Sequence, residues 1–238
     1  RGHSESPMKN NRFISIAVDG PVSAGKSTLC DALARRLGIV HLDTGAMYRA
    51  FGLYVLRHQD ISPDDEESLG RLIREGHINI SVTFEGGSQI TLLNGEDVNS
   101  QLRGEAVGAA ASAVSRFPAV RRYLVNLQQE LARERSLLID GRDIGTVVLP
   151  DAEVKIFLTA SAEDRALRRY TQLIAAGFDV DYPTVLKDLK ARDEQDQNRQ
   201  TDPLRPAEDA VILDTTNLKF EESLQKMLDI VTAVYEQD

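Results

Sequence analysis

The sequence has little of what an extracellular, membrane-bound or nucleic-acid-bound protein needs. Its single cysteine, Cys30, excludes an intrachain disulfide and cannot by itself make a metal site, which points to a reducing compartment. Basic residues are the minority: 28 Lys and Arg against 37 Asp and Glu leave a formal net charge of −9. That balance disfavours the broad basic face of a nucleic-acid binder, so any phosphate ligand has to be met by locally clustered cations. No stretch approaches the roughly 18 consecutive apolar residues of a membrane helix, and the N-terminus lacks the apolar core of a secretory signal. Tryptophan is absent, and there is no internal repeat or low-complexity tract. The expectation is a soluble, cytoplasmic protein without membrane or nucleic-acid partners.

With 42% hydrophobic residues in 238, the chain suits one compact α/β domain with a small insertion. Residues 1–11 are polar and aperiodic and are expected to be a disordered tail, with Met8 a candidate native start. The run Phe13-Ile14-Ser15-Ile16-Ala17-Val18 is short and apolar, stops at Asp19-Gly20-Pro21, and predicts a buried strand. Leu29, Leu33 and Leu37, spaced by four and followed by Gly38, predict a helix from Lys26 with a glycine stop. The next strand, Ile39-Val40-His41-Leu42, again halts at an Asp. Strand, turn and helix in this order predict parallel βαβ units. Further strands fit 137–139, 154–158 and 210–213, and ligands of such sheets gather at the carboxyl ends. One segment breaks the alternation. Ile78, Ile80, Val82, Phe84, Ile90 and Leu92 show period two, with Gly86-Gly87 and Asn94-Gly95 as turn dipeptides, and predict a small antiparallel meander inserted in the core.

Gly20-Pro21-Val22-Ser23-Ala24-Gly25-Lys26-Ser27 fits G-x-x-x-x-G-K-[ST] between a predicted strand and a predicted helix, the context that motif requires. Its glycines let the backbone curl so that successive N–H groups, on to Thr28 in the helix, point at phosphate oxygens. Lys26 then reaches the β- and γ-phosphates, and the Ser27 hydroxyl serves Mg²⁺. Asp140, at the end of the strand over 137–139, stands where a carboxylate orients that ion's water shell. The motif alone indicates a nucleoside triphosphate and does not choose between a GTPase, an ATP-driven machine and a small-molecule kinase.

After the second strand comes Leu42-Asp43-Thr44-Gly45-Ala46-Met47-Tyr48-Arg49, and from here the sequence resembles the bacterial cytidylate kinases of the nucleoside monophosphate kinase group. The resemblance spans essentially Ile14 to Asn217. It rests on the cradle, on Leu42 to Arg49, on Ala110-Ala111-Ser112-Ala113 with Phe117 to Arg121, on Asp140 to Val148, on Arg192-Asp193 with Asp196 and Arg199, and on Asp214 to Asn217. Departures are small: Val22-Ser23 stands where relatives often show Ser-Gly, and Thr44 where some carry Ser.

The resemblance implies a parallel-sheet P-loop kinase core with helices on both faces, a three-stranded antiparallel insertion and a helical lid. It places a single domain over 12–238, with a monophosphate-binding region about 44–125, the insertion about 76–104 and the lid about 162–200. Thr44, Arg49, Arg142 and Arg199, with Asp43 and Asp140 beside them, would hold the acceptor phosphate. Ser112, Arg121 and Asp143 would read the cytosine edge, and Arg192 with Asp196 would contact ribose. A pyrimidine with an exocyclic amine and ring acceptors needs both carboxylate and cationic or hydroxyl partners, which these residue types supply. Arg192, Asp196 and Arg199 are spaced i, i+4, i+7, as on one helix face. Arg165, Arg168 and Arg169 resemble lid cations; which of them reaches ATP stays open, with Arg168 the candidate. The reaction implied is transfer from ATP, with Mg²⁺, to CMP or dCMP in a monomeric enzyme whose catalytic cations are Lys26, Arg142 and Arg199. The alternatives are a P-loop kinase for UMP or another metabolite, and a nucleotide switch, which would want a guanine-reading Asn/Thr-Lys-x-Asp stretch that is absent. His41, His58 and His77 are expected to be packing or surface residues.

Overall fold

The computed structural model describes residues 13–198, 200 and 202–236, so the tail expected over 1–11 and the candidate Arg199 lie outside the described residues. Two compact units emerge, one from residues 1–41 and 135–238 and the other from 42–134.

In chain order the elements begin with β1 (Ser15–Asp19), α1 (Lys26–Leu37) and β2 (Val40–Leu42). The second unit then contains α2 (Thr44–Arg57), α3 (Glu66–Arg74), β3 (Ile80–Glu85), β4 (Ser88–Leu93), β5 (Glu96–Asp97), α4 (Glu105–Ser115) and α5 (Pro118–Glu134). The chain returns to the first unit with β6 (Leu137–Gly141), β7 (Val154–Thr159), α6 (Ala162–Ala175), α7 (Tyr182–Gln197), β8 (Val211–Asp214) and α8 (Phe220–Tyr235).

The first unit is built on a five-stranded sheet in the order β2-β6-β1-β7-β8, with β1 paired in parallel to β6 and β7, and β7 in parallel to β8. Ile16, Ala17 and Val18 on β1, and Leu137, Leu138 and Ile139 on β6, are all sealed from water. Successive strand residues face opposite sides, so both faces of the sheet centre are covered, as the unbroken apolar runs require. On one face Leu29, Cys30 and Leu33 of α1 and Leu224, Met227 and Val231 of α8 pack against Ile16, Val18, Leu138 and Ile156. Each fully buried aliphatic side chain contributes about 1.5–3 kcal/mol. Gly38 ends α1 in the left-handed conformation at φ 67°, and its N–H closes the last turn on the Ala34 and Arg35 carbonyls. Register fixes the functional end of the sheet: Val18 lies opposite Asp140, and Asp19 opposite Gly141.

The second unit carries the meander, in the order β3-β4-β5. Ile80 and Val82 point inward and Ser81 and Thr83 outward, the period-two pattern of a sheet with one wet face. β5 is two exposed residues, too short to show any periodicity. The unit's core runs through Met47, Phe51, Leu69 and Leu124. The backbones of α2 and α4 approach closely at Gly52, where an added Cβ would lie 2.7 Å from the Ala111 nitrogen. Gly52→Ala forces the two helices apart and should cost about 1–3 kcal/mol, read as a lower urea midpoint at unchanged slope. An unchanged midpoint would contradict this packing.

Candidate functional site

The turn between β1 and α1 is shaped by backbone rather than side chains. Ser23 and Gly25 adopt left-handed conformations, at φ 59° and 78°, and curl the chain into a concave loop. Gly20 packs against β7 so closely that a Cβ would fall 2.2 Å from the Leu158 carbonyl oxygen. Helix α1 opens with no side-chain cap and no acidic residue in its first turn, so its positive end is left to a ligand anion. Lys26 folds back over the loop and donates to the carbonyls of Gly20 (2.9 Å) and Pro21 (3.0 Å). Burial pulls its ammonium below the ordinary lysine value, against the opposing pull of Asp140. Ser27 and Thr28 are exposed at the helix start.

Asp19 and the loop after β6 form the next layer. Asp19 is 4% exposed, yet both carboxylate oxygens are satisfied: Oδ1 accepts from the Ile144 N–H and Oδ2 from the Gly145 N–H, each at 2.8 Å. Gly145 leaves the room this needs, since a Cβ there would stand 3.4 Å from Asp19 Oδ2 and 3.2 Å from the Lys155 stem. Residues 144–148 make one wide π-type turn, whose Val147 and Val148 N–H groups return to the Asp143 carbonyl. Asp140 at the end of β6, and Arg142 and Asp143 in the loop so pinned, are three of the acceptor-side candidates. Asp143 is buried, and Arg142 Nε lies 2.9 Å from Oδ2 of the buried Asp196 on α7.

The lid arginines divide. Arg165 is buried and fully employed: its guanidinium forks onto Asp193 (2.9 and 2.6 Å) and donates to the Ala160 and Val22 carbonyls, so it pins α6 to α7 and to the cradle. Arg168 donates to the Thr215 carbonyl (3.0 Å) and the Ala24 carbonyl (3.4 Å) and pairs with Asp164 (2.7 Å), joining the cradle to the segment after β8. Arg169 is exposed and, with Arg192, Asp188 and Ser23, lines a cavity of about 380 Å³. Arg192 and Asp196 both lie on α7, one turn apart, whereas Arg199 lies outside the described residues.

In the second unit Asp43 caps α2 by accepting from the Ala46 N–H (3.0 Å). An added Cβ on Gly45 would sit 3.1 Å from Arg49 Nη1 and 3.3 Å from Asp43 Oδ1, so glycine makes room for that guanidinium and carboxylate. Asp43 and Arg49 line a cavity of about 630 Å³ with Gln89, Thr91, Asn99 and Arg103; Ser112 on α4 and Arg121 on α5 are not among its lining residues. The sequence reading missed Gln89. Its side-chain amide clasps the Asp43 backbone from both sides, accepting from its N–H (2.8 Å) and donating to its carbonyl (3.1 Å), and so ties the meander to the start of α2. A glutamine at a period-two strand position gives no local signal of such a contact, 46 residues distant.

Against known proteins, the family model for cytidylate kinase matches residues 16–233. The chain belongs to the cytidylate kinase family. Among curated relatives, the cytidylate kinase of Caldicellulosiruptor saccharolyticus is 50% identical over 91% of this chain and 95% of its own, and that of Pasteurella multocida is 47% identical over 92% and 95%. A solved structure of an uncharacterized protein from Eubacterium ventriosum shares the fold of this cytidylate kinase family member, with a TM-score of 0.54 at 13% identity over 93% of this chain and 99% of that one.

Asp19 generates a pH prediction. Burial lifts its pKa from 3.8 to about 6, outweighing the two backbone N–H groups. The folded protein therefore holds this proton more tightly than the unfolded chain. The cost of ionising Asp19 in the fold is absent below pH 3.8 and complete above about 6, at no more than about 3 kcal/mol. The stability of the wild type relative to Asp19→Asn should fall by up to that amount between about pH 4 and 7 in urea denaturation. A difference independent of pH would contradict it.

Proposed function

We propose that the chain transfers the γ-phosphoryl group of ATP to CMP or dCMP, giving ADP and CDP or dCDP. The observation that carries this reading is the family match across residues 16–233, joined to a curled, uncapped cradle at the residues the motif names. An acceptor phosphate oxygen is already an anionic nucleophile, so no general base is needed and the obstacle is repulsion between two polyanions. Catalysis then consists of positioning and charge stabilisation by backbone N–H groups and cations.

The roles follow. Gly20 to Thr28 hold the ATP phosphates, and Lys26 exchanges its two carbonyl partners for phosphate oxygens. Arg142 and Arg199 neutralise charge on the transferred group and acceptor, Asp43, Thr44 and Arg49 hold the acceptor phosphate, and Arg168 serves ATP. Ser112, Arg121 and Asp143 read the base, and Arg192 with Asp196 the ribose. Polar groups that a bound base covers, and that the wrong base leaves unpaired, are the source of selectivity. Ser27 and Asp140 offer a hydroxyl and a carboxylate, hard oxygen donors that fit Mg²⁺, which when bound would screen charge on the phosphate oxygens. The lid over about 162–200 excludes water, whose attack would waste ATP. The domain boundaries proposed are those given above, 12–238 with the acceptor-binding region about 44–125. The enzyme is proposed to act as a cytoplasmic monomer on free nucleotides; no helix among the described residues is long and apolar enough to cross a membrane.

ADP release should be strong with CMP and dCMP and weak with UMP, AMP and GMP. Arg121→Ala should lower kcat/KM for CMP about ten- to a hundredfold, the loss of one charged hydrogen bond, with the KM for ATP little changed. No acceptor-dependent release with any nucleotide would sink the reading.

A further inference from the structure

His41, expected to be a packing or surface residue, is held between two carboxylates. It sits on β2 with a carboxylate at each ring nitrogen: Nδ1 lies 2.5 Å from Asp31 Oδ1, and Nε2 lies 2.5 Å from Asp140 Oδ1. The Sγ of Cys30, fully buried on α1, closes the group. One ligand atom each from Cys30, His41 and Asp140 lie within 4.8 Å of one another. All the residues involved belong to the first unit.

We propose that Cys30, His41 and Asp140 form a binding site for a zinc-class divalent cation. Thiolate, imidazole and carboxylate are three of the donors such an ion takes, and a sulfur–nitrogen pair selects it over Mg²⁺. Ligand atoms about a tetrahedral zinc stand roughly 3.3–3.8 Å apart, so small side-chain torsions adjust the present spacing. The ion displaces the proton shared between Nε2 and Asp140, and that proton and the Cys30 thiol proton both leave to solvent; burial and then Asp140 push the metal-free thiol above its ordinary value, so it ionises only as the ion binds. Thiolate and carboxylate then balance the two positive charges around a neutral imidazole. Asp31 already stands where a second carboxylate belongs, accepting from Nδ1–H and fixing the tautomer that presents Nε2 to the metal. Entry is past His41 and Asp140, whose side chains are 12% and 17% exposed. Because Asp140 is also the carboxylate assigned above to the magnesium water shell, a zinc-class ion here competes with that role. This consequence rests on the proposed function; the binding itself does not.

Cobalt(II) makes the site visible. Titrating the chelator-treated full chain with Co²⁺ should give a thiolate-to-cobalt charge-transfer band saturating at one equivalent, and the sole cysteine of the sequence is its only possible source. Cys30→Ser should abolish the band. His41→Gln should weaken cobalt binding by more than tenfold, and Asp31→Asn, at an exposed position, by about tenfold, with circular dichroism confirming that each variant is folded. Should Cys30→Ser fail to fold, the other two variants carry the test. Absence of the band at stoichiometric cobalt, or a band whose affinity neither His41→Gln nor Asp31→Asn alters, would overturn the proposal.

Discussion

A single buried carboxylate holds the reactive end of the sheet together. Asp19 ends β1 and opens the cradle, and its two oxygens are bound by the N–H groups of Ile144 and Gly145, more than a hundred residues later. Without that clasp the turn after β6 would have two buried donors unpaired, each costing about 1–3 kcal/mol, and no fixed geometry. With it, the loop proposed to hold phosphate and the turn that carries Arg142 and Asp143, just beyond Asp140 at the end of β6, share one anchor. The fold tolerates a carboxylate raised toward neutrality because the alternative is a loose site.

Around that anchor the protein solves a charge problem. A chain of net charge −9 has to bind polyanions, and it does so by holding few cations in fixed places. Arg165 spends its hydrogen bonds on Asp193 and two carbonyls, so its contribution is rigidity. Lys26, by contrast, rests on two neutral carbonyls and is partly desolvated, so its charge is not matched by a carboxylate bound to it, as the proposed phosphate contact requires. Arg142 leans on Asp196, which fixes its direction. Preorganisation of this kind makes a fixed cation worth more than the same charge on a mobile surface chain.

What the sequence disclosed were the features written locally. The apolar runs of β1, β6 and β7, the leucine spacing of α1 with its glycine stop, the period-two meander and the cradle all depend on residues a few positions apart. What it concealed depends on distant partners. β5 is two exposed residues paired only through its neighbour β4, and the wide turn at 144–148 exists because Asp19 reaches it across the sheet. Arg165 and Arg168 lie on one helix three residues apart and look alike in sequence, yet only Arg165 is drawn into the interior by Asp193. His41 and Gln89 were silent for the same reason: their partners Asp140 and Asp43 lie 99 and 46 residues away.

The central claim is that phosphate leaves ATP for a cytidine nucleotide rather than for water. Phosphorus NMR of the protein with Mg-ATP and CMP tests it by following both products at once. The account predicts that ATP is replaced by equal amounts of ADP and CDP, with inorganic phosphate near the uncatalysed background. Inorganic phosphate growing in step with ADP, and no CDP, would make the cradle that of a hydrolase and contradict the account.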